Sequence, residues 1–97
     1  MIIRIVKMTF SPSKLVEFLE IFNSSKEKIR TFEGCNHLEL LNDINNPNIF
    51  FTYSHWASEQ DLNNYRDSDL FKKTWTKTKA LFSEEAEASS LDIIYKN

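Results

Sequence analysis

YSHWASEQDLNNYRDSDLFKKTWTKTK, residues 53–79, runs from an aromatic strand end straight into a helical stretch, and its reading decides the fold. Residues Tyr53 to Trp56 alternate as a β-strand does, which puts Tyr53 and His55 on the same face. Ser58-Glu59-Gln60-Asp61 then has the form of a capping box, in which a hydroxyl accepts a hydrogen bond from an early backbone N–H of the helix it opens. Asp67-Ser68-Asp69 interrupts that helix, and Ser68 is placed to cap a second segment. Phe71, Trp75, Thr78 and Phe82 fall at helical spacing and form one face.

Outward from this junction, Ile49–Trp56 and His37–Leu41 read as two strands. The Asn-, Asp- and Pro-rich stretch Asn42–Asn48 turns between them, so the pair is an antiparallel hairpin. Further upstream, Ser11-Pro12-Ser13 opens a helix in which Leu15, Phe18, Leu19 and Phe22 make an apolar stripe. Lys26, Lys28 and Arg30 sit where cations suit the end of the helix dipole. Gly34, the chain's single glycine, is a stop signal. Ile2–Met8 is a first strand with apolar groups on both faces. Downstream, Ser83-Glu84-Glu85 reads as the start of one more short helical turn, and Leu91–Tyr95 as the last strand.

The resulting order is β-α-β-β-α-β, a single α+β domain over residues 1–97 of the ferredoxin-like kind, with two helices on one face of a four-stranded antiparallel sheet. The other face should then be polar, yet Ile49, Phe51 and Tyr53 point one way along their strand while Phe50 and Trp56 point the other. Ile3 and Ile5 likewise oppose Val6 and Met8. Two helices cover one face only. The second apolar face therefore predicts a homodimer with sheets packed face to face, a dimeric α+β barrel.

With 97 residues and a net charge of −2, the chain lacks the clustered basic face that phosphate contacts require, and no nucleic-acid partner is expected. No apolar run approaches the length of a membrane span, and MIIRIVKM lacks the pattern of a signal peptide, so a cytoplasmic protein that does not engage membranes is expected. Cys35 is alone, which rules out an internal disulfide and suits a small buried apolar group. Two histidines and one cysteine, with no carboxylate spaced to join them, predict no metal site. One glycine cannot build a phosphate loop or a dinucleotide fingerprint, and no cofactor is expected.

What remains is an aromatic pocket with a candidate base. His55 titrates near neutrality and Tyr65 carries a phenol one helix later, so the two are the catalytic candidates: His55 to take a proton from a phenolic or enolic substrate, Tyr65 to hold its oxygen. Phe51, Tyr53, Trp56, Phe71, Trp75 and Thr78 are the substrate-binding candidates. Phe71 and Trp75 also satisfy the plain requirement that an amphipathic helix bury one face.

At these residues the chain resembles the antibiotic biosynthesis monooxygenase family of dimeric α+β barrels. The likeness covers nearly the whole chain, from the opening strand through Phe32-Glu33-Gly34-Cys35 and the hairpin to His55-Trp56-Ala57-Ser58, followed by Leu62, Tyr65, Ser68 and Phe71. The resemblance implies either cofactor-free, quinone-forming oxygenation or heme degradation. Where the heme-degrading branch has Asn, Trp and an iron-binding His, this sequence has Lys7, Tyr65 and Trp75, and an indole cannot ligate iron. The family's cofactor-free side is the one implied: a homodimeric monooxygenase that oxidises a small electron-rich aromatic or quinol with molecular oxygen. The alternative is a non-catalytic ligand-binding or stress-related protein on the same scaffold.

Overall fold

The computed structural model describes all residues, Met1–Asn97. Four strands, β1 (Ile2–Phe10), β2 (Cys35–Asn42), β3 (Ile49–Trp56) and β4 (Phe82–Asp92), form one antiparallel sheet in the order β2-β3-β1-β4. Three helices, α1 (Leu15–Arg30), α2 (Glu59–Arg66) and α3 (Asp69–Lys79), lie against one of its faces. This is the ferredoxin-like α+β arrangement, and no helix is long and apolar enough to cross a membrane.

Local chemistry sets most element ends. A 3-10 turn at Pro12–Lys14 precedes α1, and the Ser11 hydroxyl makes no capping bond. Ser58 Oγ accepts from the Asp61 amide and Ser68 Oγ from the Phe71 amide, each at 3.1 Å, so the helix breaks into α2 and α3 where two capping hydroxyls occur in succession. Gly34 stands at φ +88° between α1 and β2, a conformation side chains resist. A Cβ there would lie 2.4 Å from Asp61 Cβ, so glycine also allows the α1–β2 corner to meet the start of α2.

Three expectations are corrected. Ser83-Glu84-Glu85 is not helical, because β4 already begins at Phe82, which pairs with Phe10. Its acids escape burial because β4 is an edge strand with an irregular register opposite Lys7 and Thr9. The strand ends at Asp92, so Ile93 to Tyr95 lie beyond it. Leu19 is off the buried face of α1, which runs through Phe18, Ser25 and Ile29.

The interior has two apolar centres. One holds Met8, Phe10, Phe18, Phe50 and Leu81, with the Phe10 and Phe18 rings stacked at 4.1 Å. The other holds Cys35, Trp56 and Leu62. Between them the packing opens.

Candidate functional site

Along β1 and β3 the strand period sends Arg4, Val6 and Met8, with Thr52, Ser54 and Trp56, toward the helices. α1 answers with Phe18, Phe22 and Ile29, α2 with Leu62 and Tyr65, and α3 with Phe71, Trp75 and Thr78. β4 contributes only Ala86 and Ala88, whose small side chains leave room. The result is a partly enclosed cavity of about 310 Å³ between the two apolar centres. That volume is at the small end of ligand pockets.

One wall is a continuous chain of rings. Trp56 stacks on Tyr65 at 4.9 Å, Tyr65 meets Phe71 edge-on at 5.2 Å, and Phe71 stacks on Trp75 at 5.8 Å; behind the wall, Trp75 meets Phe82 at 5.5 Å. Such a wall suits a flat guest. The polar groups are few. Trp56 Nε1 donates to Ser54 Oγ at 3.0 Å, while the hydroxyls of Ser25 and Thr78 donate back to the helix carbonyls of Ile21 and Thr74. Tyr65 is tied into the chain through its backbone carbonyl, which accepts from Ser68 Oγ, and its ring borders the cavity. Burial first, and the neighbouring Cys35 second, push its phenol well above the ordinary tyrosine range. Tyr65 is therefore a hydrogen-bond donor at any ordinary pH, not a phenolate base.

Cys35 is a buried thiol whose pKa is raised mainly by that burial, so the thiolate is disfavoured and the group is a poor nucleophile. Arg4 and Arg66 also border the cavity. Nothing in the sequence singles them out, since Arg4 is one charge in an apolar strand and Arg66 one of many on a helix. No histidine or carboxylate is among the lining side chains.

The candidates from sequence thus divide in two. Tyr65, Trp56, Phe71, Trp75 and Thr78 surround the cavity. His55, Tyr53 and Phe51 stand on the opposite face of the sheet, because odd-numbered residues of β3 look away from the helices. The expectation of one pocket shared by His55 and Tyr65 is corrected accordingly: within a chain the sheet itself separates them. On its own face His55 lies 5.0 Å from the His37 ring and 5.1 Å from that of Tyr53, and its Nε2 is shielded from solvent without a hydrogen-bond partner.

Comparison with known proteins follows the same architecture. Residues 1–77 match the sequence profile of the family described as antibiotic biosynthesis monooxygenase. A crystal structure of a conserved protein from Methanosarcina mazei Go1 superposes with a TM-score of 0.88 at 27% identity, over 93% of this chain and 90% of that one. A crystal structure of an antibiotic biosynthesis monooxygenase gives 0.92 at 18% identity, over 98% of this chain and 100% of that one. Rv0793 from Mycobacterium tuberculosis gives 0.90 at 13% identity, over 98% and 96%. No curated protein sequence matches the chain.

Proposed function

The chain belongs to the antibiotic biosynthesis monooxygenase family, and from that premise we propose that it oxidises a small electron-rich aromatic or quinol with molecular oxygen, using no cofactor. The observation that carries this reading is the cavity itself, walled by the Trp56–Tyr65–Phe71–Trp75 rings with the neutral Tyr65 phenol on its border. A phenolate held there supplies an electron to oxygen, and a carbon–oxygen bond forms at the activated ring position. The peroxide takes up a proton, and the resulting hydroperoxide loses water: one oxygen atom stays as a carbonyl, and the other leaves with the ring carbon's single hydrogen and that proton. The aromatic wall fixes the plane of the substrate, Tyr65 donates to its oxygen, and exclusion of water strengthens that hydrogen bond.

With no base lining the cavity, the substrate enters as its anion or gives its proton to water at the mouth. His55 we assign instead to assembly. Leu41 and Leu91, on the face it shares, are 43% and 45% exposed, and a second copy of the chain would cover them. The homodimer is accordingly part of the proposal.

A second reading is favoured by the same lack of a lining base: a protein that binds a flat ligand without transforming it. Oxygen uptake over a panel of dihydroxyaromatic compounds separates the two. Uptake equimolar with substrate supports the oxygenase. Saturable quenching of the cavity tryptophans with no uptake for any compound that binds rejects it in favour of the binder.

A further inference from the structure

Two of the chain's three arginines border one apolar cavity, and neither has an acid to answer it. Arg4 projects from the middle of the sheet's helix-covered face, where Val6 and Met8 follow it at the same parity. Arg66 is the last residue of α2, on the opposing layer. The chain's two ion pairs lie elsewhere, Lys7 with Glu87 at 3.7 Å and His37 with Glu39 at 3.2 Å. Arg4 Nη1 donates to Ser90 Oγ at 2.9 Å, a single bond that steers the guanidinium and leaves most of its five donors uncommitted. Partial burial, and then the like charge of Arg66, hold Arg4 below the usual arginine range, so the two cations are near enough to repel.

A structural account covers one of these residues and not the other. Arg66 suits the C-terminal end of a helix, where a cation complements the dipole. Arg4 has no such reason, since an aliphatic side chain would fill its place without desolvating a charge. A half-buried cation beside a second one, with no carboxylate in ion-pair contact with either and none lining the cavity, is suited to an anion from outside.

We propose that Arg4 and Arg66 together form an oxyanion-binding pair at the cavity, and that the ligand is a flat aromatic body carrying a carboxylate or phosphate that lies between the two guanidiniums. The rings of Trp56, Tyr65, Phe71 and Trp75 take the apolar body. Planar guanidinium forks match such oxygens in a way that neutral hydroxyls do not. This rests on reading the cavity as the substrate site, and it does not depend on oxygenation.

The test is binding, with probes that contain no oxidisable phenol. Quenching of tryptophan fluorescence in the full chain is titrated with 2-naphthoate, 2-naphthyl phosphate and neutral 2-naphthamide at low salt. Naphthoate or naphthyl phosphate should bind at least about tenfold more tightly than the amide, and the tighter of the two tells carboxylate from phosphate. Arg66→Met, a change at an exposed helix end, and Arg4→Met should each remove most of that preference, read as the ratio of acid to amide affinity in the same variant, and Arg4→Lys should restore part of it. Equal binding of acids and amide by the unaltered chain, or a preference that survives both methionine variants, overturns the oxyanion pair alone. Failure of all three probes to bind overturns it together with the reading of the cavity as a binding site.

Discussion

His37 and His55 face each other across the β2–β3 ladder, their ring centroids 5.0 Å apart on the sheet face that no helix covers. Partial burial, then the charges of His37 and Lys96, lower the pKa of His55, with Glu39 acting weakly in the other direction. Tyr53 is the remaining neighbour of the pair. The unfolded chain binds a proton at His55 more readily than the folded one, so stability rises with pH across the interval between the lowered folded value and the ordinary value of about 6.5. The contribution is complete above that value and is lost as pH falls through the folded one. Thermal melts should show a lower midpoint at about pH 5 than at about pH 7.5, and His55→Gln should flatten the difference. A pH-independent midpoint in the unaltered chain would remove His55 as the cause.

Gly34 supports the corner above α2 in two separable ways. Gly34→Ala should cost about 1–3 kcal/mol through its positive φ alone, with a further penalty from contact with Asp61. Urea unfolding of Gly34→Ala, Asp61→Gly and the double variant separates them, because only glycine at 61 removes the Cβ that the new methyl would meet. The second change should recover only the steric part.

Ser54→Ala removes one oxygen and strands the indole N–H of Trp56, which is 1% exposed. A buried donor left unmade costs about 1–3 kcal/mol. Unfolding experiments should find a loss in that range, and a change under about 0.5 kcal/mol would mean that the indole has found another acceptor.

Opposite faces of the sheet predict opposite phenotypes for the two titratable candidates. Tyr65→Phe should lower the rate of oxygen uptake about 10²-fold while moving stability by no more than about 0.5 kcal/mol. His55→Ala should leave the rate near that of the unaltered protein. The reverse pattern in an oxygen electrode would return the reaction to the helix-free face.

Assembly is tested on that same face. Sedimentation should find the unaltered chain as a dimer, and Tyr53→Glu, which puts a charge between Ile5 and Glu39 in the ladder, should shift it to monomer. A monomeric unaltered chain would overturn the homodimer.

The parts of this molecule that are written locally were readable from sequence. Ser58 and Ser68 announce two helix starts by hydroxyl chemistry within four residues of chain, and Gly34 marks a corner by its lack of a side chain. Alternation along Ile49–Trp56 identifies a strand but says nothing of which parity meets the helices, since that is decided by packing against residues far along the chain. For the same reason His55 and Tyr65 read as partners, and nothing local places Arg4 on the cavity side of its strand. The acids at 84 and 85 misled because carboxylates favour helix starts and also tolerate exposed strand edges, and only pairing with β1 chooses between the two.

In Ile49–Trp56, residues 52, 54 and 56 border the cavity and those between them look away. Substitution can thus retailor what the hollow admits one even position at a time, without rewriting the surface behind it. Insertion of one residue in that stretch would do the contrary: past that point it would turn the strand inside out, deliver His55 to the hollow and expel Trp56. This strand is open to exchange of its letters and closed to any odd change in their number.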